Sequence, residues 1–120
     1  MSEYHESWQA LDTRTRDLHR ALQSLQEELE AVDWYQQRIA VADNPELQRI
    51  LAHNRDEEME HAAMLLEWLR RNMDGWHGEL ETYLFSDAPI TEVEEDGDQG
   101  DDTPSPPDSS LGIGALKGDT

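Results

Sequence analysis

Cysteine is absent from the 120 residues of this chain, so disulfide bonds and thiolate metal sites are excluded. Basic residues are scarce too, since 9 Lys and Arg stand against 28 Asp and Glu, for a formal net charge of −19. A chain this acidic has no basic patch to neutralise phosphates, which argues against nucleic-acid binding and disfavours an anionic membrane surface. Any metal site must use carboxylates and imidazoles, which suit iron, manganese, zinc or calcium better than copper(I).

Long apolar segments are also missing from the sequence. No run of about 18 apolar residues occurs, so the chain predicts no membrane-spanning helix. Its first residues are polar and lack the apolar stretch that is typical of a secretory signal. We therefore expect a cytoplasmic protein with one domain at most.

The C-terminal third has a composition of its own. The segment 94-EEDGDQGDDTPSPPDSS-110 has no apolar side chain of the Ala, Val, Leu, Ile, Met or aromatic type, so it cannot bury enough surface to offset its ordering entropy. We predict a folded domain over 1–90, a disordered acidic linker over 91–110 and a peptide over 111–120. That peptide carries Leu111, Ile113 and Leu116 between glycines, which favours docking into a groove of a partner; a tail without function is the alternative.

Apolar residues recur every three or four positions early in the chain, except where Thr15 and Gln36 interrupt the pattern. The apolar residues are Trp8, Leu11, Leu18, Leu22, Leu25, Leu29, Val32 and Ile39. This heptad spacing, uninterrupted by Gly or Pro, predicts one long helix over roughly residues 7–40. Asp43 or Asn44 can cap a second helix that has Pro45 in its first turn and ends at about Asn72.

The short connection between these helices predicts an antiparallel hairpin. A short third helix follows Asp74-Gly75, with Trp76, Leu80, Tyr83 and Leu84 on one face. A hairpin alone leaves an apolar seam exposed on each helix, and chains this short usually oligomerise to cover it. The predicted fold is therefore all-α: an antiparallel two-helix hairpin plus a short third helix, dimerising into a four-helix bundle.

Polar residues interrupt the apolar face of the second helix within 53-HNRDEEMEH-61. Glu58 lies seven residues after Leu51, and His61 lies seven residues before Trp68. An unpaired buried carboxylate is unfavourable, so it must be paired or coordinate a metal. The spacing Glu58-x-x-His61 puts both side chains within reach of one cation.

The first helix offers Glu28, beside the apolar seam, as a further carboxylate, with Tyr35 seven residues on along the same edge. Glu28 opposite Glu58 and His61 would form half of a di-iron carboxylate site, and a twofold dimer would supply the other half. A buried ion pair between Glu58 and His61 that fixes the register of the dimer is the alternative.

Three segments together resemble an encapsulated ferritin: 27-EELEAVDWY-35, 51-LAHNRDEEMEHAAMLLEWLRRN-72 and 111-LGIGALKG-118. The resemblance covers residues 22 to 90 and the extreme C-terminus. It implies that two chains pair into a ferritin-like bundle with a di-iron ferroxidase centre at their interface, holding two iron ions. It also implies that dimers form a ring-shaped decamer, carried as cargo inside an encapsulin nanocompartment to which the C-terminal peptide targets it.

The resemblance also implies roles for individual residues. The iron ligands from each chain would be Glu28, Glu58 and His61. Tyr35 would lie next to the centre, with Trp34 close by. Glu27 and Glu30 would form a metal-access site that draws Fe(II) toward the centre.

The implied function is a ferroxidase that oxidises Fe(II) with dioxygen and delivers iron for mineral storage inside the shell. Two other classes of function remain open. One is a non-enzymatic dimeric helical interaction module, which would bind no metal. The other is a carboxylate-bridged metalloprotein of different function, such as a rubrerythrin-like peroxidase, in which dioxygen would oxidise Fe(II) only slowly.

Overall fold

The computed structural model describes residues 4–93, and all regular structure in that range is helical. A 3-10 helix (Trp8–Ala10) precedes three α-helices: α1 (Thr13–Val41), α2 (Pro45–Asn72) and α3 (Trp76–Tyr83). Residues 90–93 are helical as well. The chain divides into two compact units, Met1–His77 and Gly78–Thr120. None of the helices described is both long and apolar enough to cross a membrane.

Helices α1 and α2 pack against each other as the predicted antiparallel hairpin. At its open end, the guanidinium of Arg14 donates to the carbonyl oxygen of Asn72. At its closed end, Gln48 Nε2 donates to the carbonyl oxygens of Ala42 at 2.7 Å and Ile39 at 3.3 Å. These bonds satisfy carbonyls that the ends of both helices leave without an intrahelical partner.

The start of α2 follows the sequence prediction. The side chain of Asn44 accepts a hydrogen bond from the backbone nitrogen of Leu47 at 2.9 Å, and Pro45 occupies the first helical position. Proline is favoured there because its ring fixes a helical φ and its missing N–H would have no partner anyway. After α2 ends, Gly75 adopts a φ of +102°, a conformation open to glycine, and the predicted third helix begins at Trp76.

The start of α1 differs from the sequence prediction, because the long helix begins at Thr13 rather than near residue 7. The carboxylate of Asp12 accepts a hydrogen bond from the backbone nitrogen of Thr15 at 2.8 Å and so caps the helix. Leu11 is extended, and the guanidinium of Arg16 lies 3.5 Å from the centre of the Trp8 ring. Local capping therefore overrides the apolar spacing that extends back to Trp8.

The interior of the hairpin is thin. In this unit only Ala21, Ala62 and Leu69 are buried apolar residues among those described. Much larger apolar side chains on α1 and α2 are exposed: Leu29, Trp34, Val41, Leu47, Ile50, Met59, Met64 and Trp68. The hairpin thus leaves substantial apolar surface in water, as the sequence leads us to expect for a chain that dimerises.

The faces through which α1 and α2 contact each other differ slightly from those that the sequence predicts. On α1, Leu29 is 55% exposed, whereas the side chain of Glu28 is only 23% exposed. The contact face of α1 therefore passes through Ala21, Leu25, Glu28 and Val32, and Glu28 lies on the seam rather than beside it. The predicted core residues Leu47, Ile50 and Trp68 are likewise exposed, because they belong to a second apolar stripe of α2.

Candidate metal centre

Three side chains from two helices converge midway along the hairpin. Glu28 comes from α1, and Glu58 and His61 come from adjacent turns of α2. One potential ligand atom from each residue lies within 4.8 Å of the other two. His61 Nδ1 is 3.3 Å from Glu58 Oε1 and 3.4 Å from Glu28 Oε1. The structure thus brings together the three residues that the sequence analysis singles out as metal ligands.

The local sequence explains why these side chains meet. Glu58 and His61 are three residues apart, so they project from one face of α2. Glu28 lies on the contact face of α1 between Leu25 and Val32, although the heptad pattern runs through Leu29. Its side chain is 23% exposed and that of Glu58 is 25% exposed, so both carboxylates are largely turned toward the cluster.

One oxygen of Glu28 has an environment that favours a bound cation. Its Oε1 atom is buried, and it has no hydrogen-bond partner in the part of the chain described. His61 Nδ1 approaches it at 3.4 Å, but without the alignment of a hydrogen bond. A buried acceptor without a donor is unfavourable. A metal ion coordinated by this oxygen would remove that cost.

The two carboxyl groups shift each other's pKa in opposite directions. A hydrogen bond with Glu58, partial burial and the negative charge of Glu58 together raise the pKa of Glu28. The same hydrogen bond lowers the pKa of Glu58, and His61 adds to that effect. Of the two carboxyl groups, Glu28 therefore binds a proton more readily, as expected when two carboxyl groups occupy one site.

The imidazole of His61 responds to the same neighbours. Desolvation is the largest single influence on its pKa and lowers it, but the hydrogen bond with Glu58 and the negative charges of Glu28 and Glu58 outweigh desolvation and raise the pKa of His61 overall. A cation entering the cluster therefore competes with protons on Glu28 and His61. The chemistry of the donor set, two carboxylates and one imidazole, fits iron, manganese or zinc.

The other predicted site residues lie on α1, around this cluster. Tyr35 is half-buried two turns beyond Glu28, and the Arg38 guanidinium lies 5.0 Å from the centre of its ring. Trp34 is 49% exposed. Glu27 and Glu30 are exposed, and Gln23 Nε2 approaches Glu27 Oε2 at 3.5 Å. These side chains flank Glu28 along the helix but are not members of the three-residue cluster.

A profile of the EncFtn-like family matches residues 3–87 of the chain. The chain belongs to the EncFtn-like family. It is 58% identical over 114 residues to a ferritin-like protein of Thermotoga maritima, covering 95% of this chain and 97% of that protein. It is 52% identical over an alignment of 123 positions to an encapsulated ferritin-like protein of Rhodospirillum rubrum, covering 96% of this chain and 88% of that protein.

The fold of this EncFtn-like chain also matches a solved structure. A protein from Nitrosomonas europaea, known from its crystal structure, superposes with a TM-score of 0.72 at 57% sequence identity. The match covers 74% of this chain and 98% of the other. The resemblance to encapsulated ferritins is thus confirmed at the level of family, and the all-α fold is confirmed with it.

Two features of this EncFtn-like chain lie beyond the predicted site. The predicted targeting residues Leu111, Ile113 and Leu116 lie outside the described residues. Arg55 and Gln36, which sequence reasoning did not single out, join α2 to α1 by a 2.8 Å hydrogen bond. The signal that could have found Arg55 is its spacing from Leu51 and Glu58, four residues and three residues, which places a charged residue on the contact face.

Proposed function

We propose that this protein is a ferroxidase, which oxidises Fe(II) to Fe(III) at a di-iron centre shared between two copies of the chain. Each copy would contribute Glu28, Glu58 and His61, so that two iron ions are held at each dimer interface. The observation that carries the proposal is the buried, unpartnered Oε1 of Glu28 facing Glu58 and His61. Family membership supports it, since relatives are described as ferritin-like.

The ligand set suits the substrate, Fe(II). Carboxylates are hard anionic ligands, and they stabilise Fe(III) relative to Fe(II). Two iron ions held side by side can together pass two electrons to one dioxygen molecule. Glu28, which approaches both residues of α2, would hold the iron together with Glu58 and His61.

The exposed apolar surface supports pairing of two chains. Leu47, Ile50, Met64 and Trp68 are spaced so that they share one face of α2 with His61. His61 is 44% exposed on its side chain, so a second copy laid on this stripe would cover the imidazole while burying the apolar residues. A twofold arrangement places the same ligands from the partner opposite the first set.

The surroundings have roles of their own in this proposal. Glu27 and Glu30 form the metal-access site, because exposed carboxylates create a negative potential that concentrates Fe(II). Tyr35 lies next to the centre and Trp34 close by, and Arg38 holds the tyrosine ring on its outer face. The formal net charge of −19 favours approach of cations over the whole surface.

Delivery of the oxidised iron would take place inside a shell. One relative is described as encapsulated, and we propose that this chain is likewise cytoplasmic cargo of an encapsulin nanocompartment. Dimers would assemble into a ring-shaped decamer, and the peptide that carries Leu111, Ile113 and Leu116 would dock into the shell protein. Many tails on one ring would add avidity. A ring has no closed cavity, so mineral storage depends on the shell.

The test is an anaerobic titration of the full chain with Fe(II), followed by exposure to oxygen, with the native mass recorded before and after. A Glu58→Ala/His61→Ala variant is measured beside it. We expect about one iron per chain and rapid oxidation in the natural sequence, and loss of both in the variant. Metal binding with slow oxidation would indicate a different metalloprotein, and equal behaviour of both proteins would indicate an interaction module without a metal centre.

A further inference from the structure

We infer that Arg55 is a positioning residue for the metal centre: its guanidinium joins α2 to Gln36 of α1 and sets the register in which Glu28 faces Glu58 and His61. The inference rests on the proposed function, because it concerns the same three ligands. Neither the composition nor the family match indicates a role for Arg55 or Gln36.

The hydrogen bonds of Arg55 give its side chain a fixed direction. Nη1 donates to Gln36 Oε1 at 2.8 Å. Nε and Nη2 both donate to Asp56 Oδ1, at 3.1 and 3.0 Å. Asp56 therefore holds one edge of the planar guanidinium, and the remaining nitrogen is aimed at α1. Because arginine does not lose its proton at any relevant pH, a change of pH does not remove the donor of this link.

The position of Arg55 is unusual for a residue with only a solvating role. It lies on the face of α2 that packs against α1, three residues before Glu58, and its side chain is only 25% exposed. By contrast, Arg49 on the same helix is exposed. A charged side chain on the contact face takes the place of an apolar one and so removes apolar contact between the helices. The hydrogen bond between Arg55 and Gln36 must therefore contribute something in return.

The location of this bond relative to the ligands suggests what the benefit is. Apart from the contact of Glu28 with His61 in the cluster itself, the other polar contacts described between α1 and α2 lie at the ends of the hairpin, at Arg14 and at Gln48. The ligands lie between those ends, where a small rotation or slide of one helix would move Glu28 away from its partners. Arg55 is one turn from Glu58 on α2, and Gln36 is about two turns from Glu28 on α1. Their bond resists such displacement close to the centre.

A test can separate positioning from simple charge, because the two predict opposite signs. If Arg55 acted only through its charge, removing it would reduce repulsion and tighten binding of a divalent cation. If Arg55 positions the ligands, removing it loosens their geometry and weakens binding, by about 10-fold or more for residues that orient metal ligands. A purely structural role would leave the affinity of the folded protein unchanged.

The experiment uses Co²⁺ as the probe, because it is not oxidised by air and its visible spectrum reports coordination geometry. The full chain is compared with Arg55→Gln, Gln36→Leu and the double variant Arg55→Gln/Gln36→Leu. Arg49→Gln is the matched control, since it removes the same charge from the same helix. Native mass is recorded for each protein.

We expect each single variant to weaken Co²⁺ binding about 10-fold and to alter the spectrum, with the double variant no worse than either, as for two halves of one interaction. Arg49→Gln should bind Co²⁺ as the natural sequence does. Unchanged or tighter binding in Arg55→Gln, or weakening only with loss of assembly, overturns the inference and leaves the proposed function intact. If the natural sequence fails to bind Co²⁺, the metal centre fails and the inference fails with it. If Arg55→Gln does not fold, the Co²⁺ affinity and spectrum of Gln36→Leu test the inference instead.

Discussion

Glu28 on α1 and Glu58 on α2 face each other across the hairpin with carboxylate oxygens within 4.8 Å, and each shifts the pKa of the other. The pKa of Glu28 is raised and that of Glu58 is lowered, chiefly by the hydrogen bond between them. The raised pKa of Glu28 means that its protonated form persists to higher pH than usual when no metal is bound. Proton and metal therefore compete for one oxygen-rich site.

Metal binding should release protons and strengthen as the pH rises. The raised pKa values of Glu28 and His61 mean that both hold protons to higher pH than usual. Below those pKa values, each proton displaced makes Co²⁺ affinity rise about tenfold per pH unit. The same shifts stabilise the metal-free fold at low pH, and that contribution is lost as the pH rises through the raised pKa values. Titration calorimetry in buffers of different ionisation enthalpy measures the protons released.

The variant Glu28→Gln sharpens this prediction. It should bind Co²⁺ at least about tenfold more weakly and release fewer protons, because it removes both a carboxylate ligand and a group whose pKa is raised. The control Asp33→Asn removes one negative charge from an exposed position of the same helix and should preserve affinity and proton release. Equal proton release by Glu28→Gln and the natural sequence would show that the released proton comes from another group.

The apolar stripe of α2 should determine the oligomeric state. Met64 is 58% exposed and shares the face of His61, so Met64→Lys should prevent pairing and reduce the native mass to that of a monomer. Metal binding should weaken in parallel, because each copy alone holds only three ligands. Analytical ultracentrifugation and Co²⁺ titration measure the two effects.

Met59→Lys is the matched control for the stripe. Met59 is 48% exposed on the same helix, but it lies two residues before His61 and so points to a different side. This variant should keep the mass and the metal affinity of the natural sequence. An assembled Met64→Lys protein would mean that the second chain sits on another surface.

The hairpin could be predicted from sequence because its signals are local and strong. Asn44 followed by Pro45 marks the start of α2. The spacing of Glu58 and His61 puts both side chains on one side of α2, however α1 packs against it. The predicted start of α1 was wrong. The heptad pattern reaches back to Trp8, but the side chain of Asp12 caps the helix, which therefore begins at Thr13. Periodicity measures which residues share a face, and it does not measure where the backbone stops being helical.

The exact contact faces could not be predicted for a related reason. On α2, one stripe passes through Leu51, Glu58 and Leu69 and another through Ile50 and His61, and both fit a helical period. Only the packing of α1 decides which stripe faces inward. The same limit applied to Glu28, whose neighbour Leu29 is the more apolar residue and yet is exposed.

Glu67 should stabilise the end of α2 through its two arginines. Arg70 donates to both of its oxygens at 2.8 Å, and Arg71 Nε donates to Oε2 at 2.6 Å. Hydrogen bonding to Arg70 is the main reason that the pKa of Glu67 is lowered to about 2. Desolvation opposes this shift, and hydrogen bonding to Arg71 adds to it. Because the side chain is 43% exposed, solvent screening reduces the contribution to about 1 kcal/mol.

Glu67→Gln should therefore lower the free energy of unfolding by about 1 kcal/mol at neutral pH. A depressed pKa contributes stability above the ordinary value of 4.5 that is lost as the pH falls toward 2, so the two proteins should converge in acid. Urea unfolding of the metal-free proteins at equal concentration measures this difference. Glu60→Gln, at an exposed position of the same helix, should have no comparable effect, and a difference that persists in strong acid would rule out the ion pair as its cause.

Glu27 and Glu30 should affect how fast iron reaches the centre rather than what happens there. Both are exposed beside Glu28, so a Glu27→Gln/Glu30→Gln variant should lower the initial rate of Fe(II) oxidation a few-fold at low Fe(II) and leave the rate at saturating Fe(II) unchanged. The difference should shrink in about 0.5 M salt, because ions screen the attraction. A control with Asp43→Asn/Glu46→Gln removes two charges at the hairpin loop and should behave as the natural sequence. A loss that persists at saturating Fe(II) would instead make these acids part of the centre itself, since only residues that act after binding can limit the rate when the site is full.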